Sequence, residues 1–130
     1  MKRNKYLEEI GLDKGQYGLY KPKRTDKRRK EWKIQRKEYG FDERETWNLN
    51  GTMAEWIYSH LMMFTEIGGK TVDLNYNTFE YNDRNFTLYE AIEYIKDRCR
   101  EYLLCPSFEN DEKMTDALHL LAVIFPALWW

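Results

Sequence analysis

A chain of 130 residues that is 42% hydrophobic, 16% aromatic and 33% charged can bury one core, and its mean hydropathy of −0.83 excludes residence in a bilayer. The formal net charge of −1 conceals a division: the first forty residues hold fourteen of the 21 Lys and Arg but six of the 22 Asp and Glu, a net of +8, which leaves −9 on the other ninety. This asymmetry predicts a basic arm, residues 1–40, and a body, residues 41–130. With no secretory leader expected, Cys99 and Cys105 read as free thiols in a reducing cytoplasm.

Tyr6, Leu7, Ile10 and Leu12 form a short helical stripe that Gly11 and Gly15 keep to a turn or two. Residues 15–22, GQYGLYKP, read as a connecting loop in which Tyr17, Leu19 and Tyr20 pack against the body. Residues 25–39, TDKRRKEWKIQRKEY, predict a helix with Trp32, Arg36 and Tyr39 on one side. Such a stripe is too narrow to hold a helix on a core, so the segment is expected to be solvated or bound to a partner. Gly40 ends it. Lys and Arg at this density release counterions from a polyanion, and Trp32 and Tyr39 could stack on bases. The same charges suit an acidic groove on a protein, or the body's own acidic surface. Arg28, Arg29, Trp32, Arg36 and Tyr39 are the candidate partner-binding residues.

After Gly40 the charge changes sign. Thr52 and Glu55 have capping-box spacing, with Asn48 or Asn50 as alternative caps. Met53, Trp56, Ile57, Leu61 and Phe64 follow as one expected buried face, and Gly68 and Gly69 stop the helix. From residue 70 the period is two: Val72, Leu74 and Tyr76 alternate with polar residues, as do Phe79 and Tyr81, and Phe86 follows the turn cluster 82–85. A hairpin or three-stranded meander is expected.

Thr87 and Glu90 form a second capping box, opening a helix whose buried face is Leu88, Ala91, Ile92, Ile95, Cys99, Tyr102 and Leu103. Pro106 and the polar run 109–113 break it. A last helix is expected from near Asp111 through Met114, Ala117, Leu118, Leu121, Ala122 and Phe125. Its end, LLAVIFPALWW, is apolar all round and must be covered by the core, by a second copy of the chain or by a partner. It is shorter than the roughly 20 residues of a bilayer span, and Pro126 interrupts it.

No reaction is spelled out. Asp42, Glu43 and Glu45 crowd around Arg44 without the other ligands a divalent cation needs, and read more simply as acids at a helix start. Cys99, Cys105, His60 and His119 lack paired zinc-ligand spacing. Ser59 and Ser107 have no orienting partners in sequence, and phosphate-loop, dinucleotide and HExxH patterns are absent. No enzyme, metal or cofactor is expected. The fold class is α+β and predominantly helical, with three main helices packed on a small antiparallel β-hairpin and a basic helical amino-terminal arm.

The stretch 39–61, YGFDERETWNLNGTMAEWIYSHL, together with the FPALWW end, resembles small uncharacterised proteins carried by phages and prophages of Gram-positive bacteria. Gly40-Phe41-Asp42 and residues 45–49, ETWNL, carry the likeness, over about a quarter of the chain; Asn50 stands where those proteins have Asp. The resemblance implies a context and transfers no catalytic residue. In that context the expected function is non-enzymatic binding and blocking of a host defence protein in the host cytoplasm, as an anti-CRISPR or other anti-defence inhibitor. The alternatives are a nucleic-acid-binding accessory protein working through the basic arm, and a nucleotide sponge in which Trp47, Trp56 or Tyr94 stacks a base.

Overall fold

Asn4 starts the first helix of the computed structural model, which describes residues 4–12 and 22–130. Its side chain accepts from the backbone N–H groups of Tyr6 and Leu7 at 3.0 and 3.3 Å, capping α1 (Lys5–Glu9). The loop expected over residues 15–22 lies, apart from Pro22, outside the described residues. The described residues form a predominantly helical α+β fold with six helices and one two-stranded hairpin. They fall into two units, Met1–Glu55 and Trp56–Trp130.

In the first unit a turn over residues 23–28 leads into α2 (Arg29–Tyr39), where the Asp26 carboxylate accepts from the Arg28 backbone N–H at 2.9 Å. Gly40 terminates α2 in the left-handed region, φ 85°, where a side chain would be strained. A four-residue helix, α3 (Arg44–Trp47), and the start of α4 (Leu49–Ile67) come next.

The start of α4 is earlier than the Thr52 cap predicts. The Thr52 backbone N–H already donates to the Asn48 carbonyl at 3.0 Å, so Thr52 lies inside the helix and Asn48, the alternative start, immediately precedes it. The buried positions are Ala54, Ile57, Tyr58 and Leu61, whereas Met53 and Trp56 are 49% and 61% exposed. The inward stripe is rotated from the expected one and runs through Ala54 in place of Met53 and Trp56.

The second unit takes up α4 from Trp56. A single 3-10 turn, Gly68–Lys70, ends it, and the Trp130 indole lies against Gly68 where any Cβ would collide with it. The expected strand over residues 72–77 does not form. The Asp73 side chain accepts from the Asn75 backbone N–H at 2.9 Å and the Asp73 carbonyl from that of Tyr76 at 3.3 Å, which folds the segment into turns. Asp and Asn supply local acceptors that compete with ladder bonds. Only Leu74 of that alternating set is buried.

β1 (Thr78–Tyr81) and β2 (Arg84–Thr87) pair antiparallel, with Phe79 opposite Phe86 and Tyr81 opposite Arg84. Asn82 and Asp83, both at positive φ (50° and 59°), make the two-residue connection. Thr87 then caps α5 (Leu88–Leu104) through a complete capping box with Glu90. Every residue expected on its inner face is buried, and Lys96 joins them.

α6 (Phe108–Ile124) also begins ahead of its expected start, because Ser107 caps it by accepting from the Asn110 backbone N–H at 3.2 Å. The polar run 109–113 is its first turn and a half, with Glu109 and Asp111 at the positive end of the helix dipole. Asn110 Nδ2 donates to the carbonyls of Glu101 and Cys105, closing the end of α5. α5 packs along α6, and the hairpin rests on both, β2 on α5 and β1 on α6. Met114, Ala117, Leu120 and Ile124 are buried, whereas Leu118, Val123 and Phe125 are exposed. A final 3-10 turn, Phe125–Ala127, contains Pro126 and leads to exposed Trp129 and Trp130.

Candidate binding surfaces

Trp32 sets the orientation of α2. It is 1% exposed, its Nε1–H donates to the Glu43 carboxylate at 2.9 Å, and its ring meets Trp47 edge-on with centroids 5.7 Å apart. The guanidinium carbons of Arg44 and Arg28 stand 4.5 and 4.9 Å from its centroid. Behind it Asp42, 1% exposed, is the charge centre of the unit. Its carboxylate accepts from the Arg44 backbone N–H at 3.0 Å, from Arg44 Nε and Nη2 at 2.9 and 2.8 Å, and from Arg36 Nη1 at 2.9 Å. The Arg44 bonds, foremost among these causes, hold the Asp42 carboxyl below the usual aspartate range against the opposing effect of burial.

These contacts revise the candidate residues. Trp32 is an interior residue and offers no face to a base or a partner. Arg36 is half exposed yet bound to Asp42, and Arg28 is paired with Asp26 at 2.9 Å. Arg29 is exposed, and Tyr39 is 65% exposed. Side chains of α2 reach across the expected 40/41 boundary, Gln35 and Arg36 to the 42–43 segment and Trp32 to Glu43, and tie the helix to the chain beyond Gly40.

The outward face of α2 was missed by reading around Trp32. Lys30, Lys33, Ile34 and Lys37 occupy the side opposite it, and all four are exposed, Ile34 by 62%. Lys23, Arg24, Lys27, Arg29, Lys30, Lys33 and Lys37 form no ion pair among the described residues.

A second cluster centres on Asp116 of α6. The Tyr81 hydroxyl donates to Oδ1 at 2.5 Å and the Tyr94 hydroxyl to Oδ2, while Arg98 Nε stands 3.4 Å from Oδ2. Burial opposes the charge of Asp116, but the two hydroxyls and Arg98 outweigh it and keep the carboxyl below its usual range. The bond to Asp116 pushes the Tyr81 phenol up to about 12. Phe86 meets Tyr94 edge-on with centroids 5.4 Å apart.

The remaining chemical candidates are dispersed. Glu43 is engaged by Trp32, and Asp42 by two arginines. Cys99 is buried and Cys105 exposed, both free. His60 is exposed and stacks on Trp56 with centroids 3.7 Å apart. Among the described residues no group of three or more His, Cys, Asp or Glu is gathered as metal ligands, and no helix is long and apolar enough to cross a membrane. No protein-family model, curated protein or solved structure matches the chain.

Proposed function

We propose that this protein is a non-catalytic binder that lays the outward face of α2, Lys30, Lys33, Ile34 and Lys37 with Arg29 at its start, on an acidic macromolecular surface. One observation carries the reading: seven cations between residues 23 and 37 have no ion-pair partner among the described residues, while the nearby Asp26 and Asp42 are bonded to Arg28, Arg36 and Arg44. Lysines left unpaired around one exposed isoleucine make a steering field with a small apolar contact at its centre. In the phage context that the 39–61 stretch resembles, the partner is a host defence protein held inactive in the host cytoplasm. The function is then stoichiometric occlusion.

Reversing Lys30, Lys33 and Lys37 together to Glu is expected to weaken capture of the acidic partner about a hundredfold, measured by titration against the protein recovered from host lysate. Nucleic acid is the second reading, favoured by the same unpaired cations and disfavoured by the burial of Trp32. Binding to single or double strands with a steep inverse dependence on salt, and no captured host protein, would replace the first reading with the second. Turnover of any substrate would replace both.

A further inference from the structure

We propose that Arg84 and Arg98, gathered around the Tyr94 ring, form a seat for a phosphate group of a small molecule, independent of α2. The charges of this cluster do not balance. Asp116 is the carboxylate at its centre, and both of its oxygens already accept hydroxyl protons, one from Tyr81 and one from Tyr94. Arg98 Nε stands 3.4 Å from Oδ2 and, shielded from solvent, makes no hydrogen bond among the described residues. Its guanidinium carbon stands 3.4 Å from the Tyr94 centroid, so the plane is fixed by stacking rather than by its anion.

Arg84 approaches from the hairpin. Its guanidinium carbon is 4.5 Å from the Phe86 centroid and 5.8 Å from that of Tyr94, and the side chain makes no hydrogen bond or ion pair among the described residues. Two guanidinium groups thus stand against one aromatic ring, while the carboxylate of the cluster bonds both hydroxyls and approaches Arg98. Arginines stacked on rings keep their N–H edges free and oriented, the arrangement that recognises tetrahedral oxyanions. A phosphate group, whose tetrahedral oxygens can accept from both guanidinium groups at once, suits this pair.

The test is titration of the full chain with inorganic phosphate and, separately, with a nucleoside monophosphate, followed by calorimetry and by NMR of the arginine side-chain N–H groups. Saturable binding of either, weakened about tenfold or more by Arg84→Gln, is expected, since one charge-assisted contact is lost. Arg84 is exposed, so that variant keeps the fold. Equal affinities identify the phosphate group alone as the ligand; tighter binding of the nucleotide shows that the attached nucleoside contributes. No saturable binding of either, binding unchanged in Arg84→Gln, or binding abolished by the Lys30, Lys33 and Lys37 reversal would overturn the proposal.

Discussion

Asp42 shows how much one carboxylate can organise. It receives both arms of the Arg44 fork, the Arg44 backbone and Arg36, in a site where it and Arg44 are 1% and 8% exposed. Asp42→Asn leaves the Arg44 charge buried without its counter-charge, and is expected to cost about 3 kcal/mol in denaturant unfolding. Because the Asp42 carboxyl is held below its ordinary value, its contribution is present above the normal aspartate range and is lost as pH falls through the depressed value. Glu55 behaves in the opposite sense. Burial raises its carboxyl to about 7 from 4.5, so the fold prefers the protonated acid, and stability declines as pH climbs between those two values. Glu55→Gln is expected to raise Tm by about 3 °C at pH 8, for a gain near 1 kcal/mol after solvent screening, and to leave Tm unchanged at pH 4.

At the scale of elements, legibility followed how local the determining interactions were. α5 was readable because its capping box and its inward residues lie within one continuous period, and every one of them is buried. The hairpin was readable from the turn cluster and the aromatic alternation. Residues 72–77 have the same alternation, yet Asp73 turns the backbone on itself, a competition that hydrophobic pattern alone does not weigh. The starts of α4 and α6 were placed late because Asn48 and Ser107 stand ahead of runs that look polar. The hairpin connection also carries a correctable strain. Asp83 sits at φ 59°, a position glycine occupies more easily, and Asp83→Gly is expected to add about 0.5 kcal/mol, read as a rise in Tm of about 2 °C.

Over the whole molecule, the separation of +8 from −9 was evident in the sequence, but the side of α2 that faces outward was not. That side depends on Trp32 meeting Trp47, Arg44 and Glu43, residues 11 to 15 positions away whose approach no periodicity encodes. Likewise nothing in the spacing of Tyr81, Tyr94, Arg98 and Asp116 announced that they converge, since three elements bring them together. Lys30, Lys33 and Lys37 touch no partner within the described residues, so their joint reversal to Glu is expected to move Tm by less than about 2 °C while it removes binding.

The interior position of Trp32 also makes the protein its own optical probe. Trp47, Trp56, Trp129 and Trp130 are 48% to 71% exposed, whereas Trp32 is 1% exposed. A collisional quencher such as iodide should therefore extinguish emission from four indoles and spare the fifth. The surviving signal, blue-shifted and lost in Trp32→Phe, reports from directly beneath the lysine face, so that docking there can be followed without a label.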